Sequence, residues 1–191
     1  IQMCAGYYSY KSGHKPIFKG SEDFVGQIIH PQEWNSSIDY ENKKVAVIGS
    51  GATAVTLIPE IAKKASHVTM IQRSPTYIAS APSKYKILHL LNYISPKLGY
   101  KIIRFTNILR QRRIYRRAMR SPELVKNYLL DLVRDELPGI DIEKHFTPTY
   151  NPWEQRLCLA PDSDFFESIN QKRVSVAVSY THLRAHETTC H

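Results

Sequence analysis

The stretch that decides the fold is "KKVAVIGSGATAVTLIPEIAKKASHVTMIQRS", residues 43–74. Val45, Ala46, Val47 and Ile48 form a short continuous apolar run, the pattern of a strand buried on both faces of a parallel sheet. Gly49 and Gly51 interrupt it. The spacing of Val55, Ile58, Ile61 and Ala62 then predicts a helix from about Ala52 to Ala65. Pro59 lies inside that helix and predicts a kink or an early end, because it has no N–H to donate. "HVTMIQ", His67 to Gln72, reads as a second strand. Strand, helix and strand at these lengths make a βαβ unit with a right-handed crossover.

The turn between strand and helix, "GSGATA", is a G-x-G-x-x-A pattern. Gly49 permits the tight turn, Gly51 lets backbone approach a pyrophosphate, and Ala54 allows the helix to pack closely on the strand. The backbone of Ser50, Ala52 and Thr53 completes the cradle, at a helix N-terminus whose dipole favours an anion. A glycine pattern alone is weak; one that follows a strand, opens a helix and leads to a second strand predicts dinucleotide binding. An acid at the end of the second strand would select NAD. This chain has Gln72, Arg73 and Ser74 there. Arg73 can pair with a 2′-phosphate, and Gln72 and Ser74 can add hydrogen bonds, so NADP is the predicted cofactor. The competing reading makes Arg73 a solvated strand end.

Working outward, residues 1–44 are rich in Gly, Pro, Tyr and Asn with little periodicity, as in an ordered connector. Residues 83–137 read as helical. In "SPELVKNYLLDLVRDELPG", Ser121 can cap, Pro122 suits the first turn, Glu123 complements the dipole, and Pro138-Gly139 stops the helix. Leu124, Tyr128, Leu132 and Val133 are its predicted apolar stripe. A Pro-rich stretch follows, and "RLCLA" reads as a short strand.

The chain has 191 residues and a net charge of +9. Much of that charge lies in "RQRRIYRRAMR", Arg110 to Arg120. No zinc-finger spacing and no aromatic-interleaved motif accompanies it, so it reads as a solvated helix face and not as a nucleic-acid surface. No apolar run approaches the roughly 20 residues of a membrane span. The first residues carry no basic region followed by an apolar one, so no signal peptide is read there. Cys4, Cys158 and Cys190 give no disulfide framework and no C-x-x-C pair, which fits a reducing cytoplasm and argues against a flavin disulfide reductase. The chain does not start with Met and reads as an internal fragment.

Ahead of the glycine loop stands "FVGQIIHPQEW", which places Phe24, Gly26, His30 and Trp34 at spacings that no helix or strand period explains. It matches F-x-G-x-x-x-H-x-x-x-W and resembles the identifying motif of the flavin-containing and Baeyer–Villiger monooxygenases. "SIDYENKKVAVIGSGATAVTL" and "VTMIQRSPTYI" are similar to the same family, and the likeness runs from the first residues to about Val176. The resemblance implies an α/β fold. It would be a Rossmann-like NADP-binding domain over 41–176, incomplete and with a helical insertion at about 83–137. Residues 1–40 would be the end of an FAD-binding domain plus the interdomain linker. It implies FAD and NADP as cofactors, with FAD held mostly by regions this chain lacks, and O2 and a small molecule as substrates. The motif would act as hinge and sensor, coupling the two nucleotide domains.

"CAGYY", Cys4 to Tyr8, resembles the family's alanine-threonine-glycine linker motif, with Ala5 in place of Thr. Arg156 in "WEQRLCL" matches an arginine that, in Baeyer–Villiger members, lies over the flavin and holds the anionic peroxyflavin and the nicotinamide. A structural arginine pinned by Asp162 or Asp164 is the other reading. His30 and Arg156 are thus the candidate catalytic residues. The expected activity is insertion of one oxygen atom from O2 into a carbonyl compound or a soft heteroatom. The isolated chain is expected to be inactive. The alternative is a non-catalytic dinucleotide-binding or basic interaction module. The last residues, "AVSYTHLRAHETTCH", resemble translated sequencing-adaptor text. Although His182, His186, Cys190 and His191 are metal-ligand types, no metal site is assigned, and 177–191 read as a non-native, disordered tail.

Overall fold

The computed structural model describes residues 11–13, 16, 18–84 and 95–178. It divides into two compact units, residues 1–39 and 40–191. In the first unit the described residues form only two short 3-10 turns, Ser21–Asp23 and Pro31–Glu33.

The second unit is an α/β fold. β1 (Lys44–Ile48), β2 (His67–Gln72) and β5 (Val174–Val178) form a parallel sheet in the order β1-β2-β5. Val45 pairs with Val68 and Val68 with Val174, while Val47 pairs with Met70 and Met70 with Val176. One face is therefore a valine and methionine surface, and α1 (Ala52–Ala62) packs on it with Ala54, Val55, Ile58, Ile61 and Ala62 buried. The other face carries Ala46, Thr69, Ile71, Ser175 and Ala177 and is partly open.

That openness corrects one expectation. β1 is not buried on both faces: it alternates, and Ile48 is 64% exposed. Among the described residues it pairs with β2 alone and so lies at the sheet edge, and α1 covers the side of Val45 and Val47.

The helix also ends sooner than its apolar spacing predicts. Pro59 is accommodated, but regular helix stops at Ala62, three residues short. The chain then tightens through Lys64 N–H to Ile61 C=O (3.0 Å), and Ala65 N–H returns to the same carbonyl (2.9 Å). Asn42 N–H to Lys64 C=O (2.9 Å) and Ser66 N–H to Lys43 C=O (3.0 Å) tie this end to the start of β1. β2 covers the expected residues. β5 runs two residues past 176, because Ala177 and Val178 still pair with Ile71 and Gln72.

A second, two-stranded parallel sheet joins β3 (Tyr77–Ala81) to β4 (Leu157–Pro161). β4 is the expected strand displaced by one residue. β3 was not anticipated: its partner lies eighty positions away, and "YIASA" has no strong period. Between them run α2 (Pro96–Arg120), α3 (Pro122–Glu136) and α4 (Ile142–Phe146). The expected helical stretch is thus two long helices, with residues 85–94 outside the described set.

In α3 the buried residues are Val125, Leu129, Leu130 and Val133; Leu124 and Tyr128 are exposed. Of the predicted stripe Val133 is buried as expected, while the rest of the buried side lies next to the predicted positions. Ser121 makes no capping hydrogen bond, although Pro122 does open the helix. Gly139, at φ +86°, reverses the chain after Leu137. α5 (Asp164–Asn170) completes the core with Phe165 and Phe166. Their rings meet each other and Phe146 edge to face at centroid distances of 5.7 to 6.5 Å. Among the described residues no helix is long and apolar enough to cross a membrane.

Candidate functional site

The glycine loop sits where β1 ends and α1 begins. Gly49 has φ +133°, which L side chains rarely adopt, and its N–H donates to Ile71 C=O at 2.8 Å. The loop is thereby clamped to the end of β2. Ser50, buried, adds a second clamp: its hydroxyl donates to Ser74 C=O at 3.0 Å. Gly51 is the helix N-cap in extended conformation, and a Cβ placed on it or on Gly49 would meet nothing within 4 Å. The glycines thus leave space above the helix end.

The first helical bond is Val55 N–H to Gly51 C=O. The N–H groups of Ala52, Thr53 and Ala54 consequently have no helical acceptor. No side chain caps them, and no acid stands in the first turn. Ala52 and Thr53 are exposed, while Ala54 is buried against the sheet. Unpaired donors, a positive dipole end and open space fit a pyrophosphate.

Arg73 and Ser74 follow directly from β2, beside the Ser50 clamp. Arg73 is exposed. Gln72 is different. Strand alternation turns it into the core, and its amide nitrogen donates to His145 C=O at 2.6 Å. One N–H of the Gln72 amide thus holds α4 to the sheet, and only the rest of the amide is left for the expected hydrogen bond to a cofactor.

Arg156 immediately precedes β4, and Leu157 pairs with Tyr77, four residues after Arg73. Tyr150 fixes this junction. Its hydroxyl donates to Arg156 C=O (3.1 Å) and lies 3.1 Å from Thr76 Oγ1, while Tyr77 donates its hydroxyl to Tyr150 C=O (2.7 Å). Burial, with Tyr150 beside it, pushes the Tyr77 hydroxyl up to about 12. Arg73 and Arg156 are thus brought to one end of the fold by a buried tyrosine pair that sequence reasoning missed. Three tyrosines and threonines scattered over 76–150 give no local signal of it.

The carboxylates proposed to pin Arg156 are otherwise engaged. Asp162 accepts from the N–H and hydroxyl of Ser83, which hold its carboxyl below the usual range. Asp164 accepts from Phe165 N–H at 2.7 Å, and burial raises its pKa. Among the described residues the Arg156 guanidinium has no ion-pair partner. The Cys158 thiol is free and buried, and burial raises its pKa.

In the first unit, the linker motif has its own geometry. A Cβ on Gly26 would lie 2.5 Å from the Phe24 ring, so that ring folds over the glycine. His30 Nδ1 accepts from Gln32 N–H at 3.3 Å, which caps the Pro31–Glu33 turn and leaves the ring proton on Nε2. Its ring lies against Gly13, where a Cβ would come within 2.0 Å of it. Gly13 was not singled out from the sequence. Trp34 follows the turn and is partly exposed. Cys4 to Tyr8, Cys190 and the His182, His186 and His191 group lie outside the described residues.

These features have counterparts in known proteins. A family model described as flavin-binding monooxygenase-like matches residues 1–138. The chain is 50% identical over 177 residues to the FAD-containing monooxygenase EthA of Mycobacterium tuberculosis, covering 91% of this chain and 36% of that protein. It is 49% identical over 178 residues to the probable FAD-binding monooxygenase AlmA of Acinetobacter baylyi, covering 92% and 36%. It spans about a third of the length of these relatives.

Among solved structures, it resembles an oxidized steroid monooxygenase bound to NADP (TM-score 0.67, 17% identity, 91% of this chain and 39% of that one). A cyclohexanone monooxygenase from Rhodococcus sp. Phi1 bound to NADP+ is also similar (TM-score 0.62, 19% identity, 87% and 38%). The fold is that of those enzymes. With a glycine loop clamped at a helix end, an arginine after the second strand and a model match over most of its length, the chain belongs to the flavin-binding monooxygenase-like family.

Proposed function

We propose that this chain is the NADP-binding portion of an NADPH- and FAD-dependent monooxygenase. The enzyme inserts one oxygen atom from O2 into a carbonyl compound or a soft heteroatom. One observation carries the reading: the uncapped α1 N-terminus opens beside Arg73, so pyrophosphate donors and a 2′-phosphate partner stand at the same end of one βαβ unit. When bound, NADPH supplies a hydride and FAD carries the oxygen chemistry.

The residues of this chain have simpler tasks. Ala52, Thr53 and Ala54 N–H donate to the pyrophosphate, with Gly51 admitting its approach. The Arg73 guanidinium pairs with the 2′-phosphate, and Ser74 stands beside it. Arg156, free of carboxylates, offers a fixed positive charge to an anion developing nearby. Phe24, Gly26, His30 and Trp34 form the folded linker whose shape positions the two nucleotide domains. The protein is soluble in its reactants' compartment, the cytoplasm, in this reading.

The test is oxygen tracing in the full-length enzyme under 18O2, offered a ketone and a thioether. One labelled atom per NADPH in either product is expected. Arg156→Ala should keep NADPH binding and lose product formation by about a hundredfold or more, the scale of a lost anion-stabilising donor. Absence of label from both products would overturn the monooxygenase reading. Normal coupling in Arg156→Ala would overturn the role of Arg156 alone.

A further inference from the structure

We propose that Trp153 is a positioning residue for Arg156, and that α2 sets the place of the arginine by holding the Trp153 ring. The proposal rests on the anion-stabilising role of Arg156 given above.

Arg156 closes the loop "YNPWEQR", residues 150–156. Asn151 to Glu154 form its turn, with Glu154 N–H donating to Asn151 C=O at 3.1 Å. Pro152 fixes a negative φ at the second position. Trp153, at the third, has φ +70°. This is the arrangement of a type II turn, whose third position ordinarily takes glycine. A tryptophan there is strained, because its Cβ crowds the backbone in the left-handed region. Among the described residues Asn42, Asp162, Ser163 and Lys172 also have positive φ, but none of them carries a ring.

Such a conformation persists only where the surroundings impose it. Here they act from two sides. The Glu154 carboxylate accepts from Asn151 N–H (2.9 Å) and from the Asn151 side-chain amide (2.8 Å), bonds that hold its carboxyl below the usual range. The Trp153 ring packs partly buried against the core and meets Tyr115 of α2 edge to face at 6.2 Å. Glycine at this position would remove the strain and lose the ring. The turn keeps the ring and bears the strain.

What the ring fixes lies three residues on. Tyr150 and Arg156 are the two feet of the loop, joined where the buried Tyr150 hydroxyl donates to Arg156 C=O at 3.1 Å. The feet are thus tied to the core by Tyr150 and the crest to α2 by Trp153. Glu154, Gln155 and Arg156 between them are exposed. The aim of the arginine therefore depends on how the two ends of the loop are held. α2 buries only Gly99 and Ala118 of its twenty-five residues, and its contact with Trp153 gives it a bearing on the site.

The test uses the full-length enzyme and two readouts. The first, hydrogen–deuterium exchange over residues 154–157, needs neither cofactor nor turnover. Trp153→Gly should speed exchange there about tenfold or more, as local opening of a released loop does, and leave the glycine loop at 49–54 unchanged. Tyr115→Ala should do the same more weakly. Combined with Trp153→Gly it should add nothing, as for two partners in one contact. Trp153→Phe, which keeps a ring, should restore slow exchange. Tyr115 is 47% exposed, so its variant keeps the test open if Trp153→Gly folds poorly.

The second readout is turnover. In Trp153→Gly the KM for NADPH should hold, while kcat for oxygenated product falls about tenfold to a hundredfold, the scale of a slightly displaced catalytic group. The two electrons of NADPH should then reduce O2 to hydrogen peroxide. Unchanged exchange at 154–157 in either Trp153→Gly or Tyr115→Ala would overturn the proposal. So would faster exchange with full coupling, which would make the ring merely structural. If the wild type itself yields no oxygenated product, the monooxygenase reading fails, and the exchange data alone decide whether Trp153 places Arg156.

Discussion

Helix α1 has eleven residues and buries six of them; helix α2 has twenty-five and buries two. Both are regular, but for different reasons. α1 is held by what it touches: Val55, Ile58 and Ile61 are buried where the helix meets β1, β2, β4 and α5, strongly enough to keep Pro59 inside the helix. α2 is held by local preferences. Ser95 accepts from Leu98 N–H, Pro96 opens the first turn, and the chain is rich in long unbranched side chains. A helix fixed by packing can leave its N-terminus bare for a ligand. A helix that contributes little to the core can still bear on the site through one ring, Tyr115 against Trp153.

The comparison breaks first if the core is not where α1 makes it. Ile58 has no solvent exposure. Ile58→Ala should lower stability by about 2–5 kcal/mol, the cost of deleting a buried branched side chain, measured by urea unfolding. A loss below about 1 kcal/mol would mean that α1 is loosely packed.

A smaller effect probes the tyrosine junction. The Tyr77 hydroxyl has its pKa raised from 10.0 to about 12 by burial and by Tyr150. The folded state therefore keeps this proton when the unfolded chain has already lost it. Its stabilising contribution is complete below pH 10 and falls away between about 10 and 12. The loss approaches 2–3 kcal/mol at the upper limit. Melting curves across that range should show a drop for the wild type that Tyr77→Phe largely lacks. Parallel drops would place the titrating groups elsewhere.

The smallest effect sharpens the contrast. Phe105→Ser on α2 should change stability by no more than about 0.5 kcal/mol, because the ring is already in water. A cost comparable with that of Ile58→Ala would show that something covers this face in solution.

How much of this was legible in the sequence follows the same division. β1, α1, β2 and the glycine loop are local: the pairs that join β1 to β2 span fewer than thirty residues, and period, glycine and charge all agree. β3 could not be read, since its hydrogen bonds go to Leu157–Pro161 and its own residues carry no clear alternation. α3 was legible as a helix, but its buried side was set one position off, because Leu124, Val125, Tyr128 and Leu129 offer two adjacent apolar stripes. Packing against β3, α2 and α4 chooses between them. At the site, Arg73 and the glycines were legible through chemistry and position. The burial of Gln72 and its bond to His145 C=O were not legible, because strand alternation, not residue type, decides which way it points. The Tyr150 anchor of Arg156 depends on contacts across more than seventy residues and left no mark in the sequence.

The central claim is that α1 and Arg73 together hold a dinucleotide bearing a 2′-phosphate. Calorimetry of the full-length enzyme with NADPH and with NADH, for the wild type and Arg73→Ala, tests it directly. Loss of a charge-assisted hydrogen bond should weaken NADPH by about 1.5–3 kcal/mol and leave NADH nearly unchanged. Equal losses for the two nucleotides, or none for NADPH, would contradict the account.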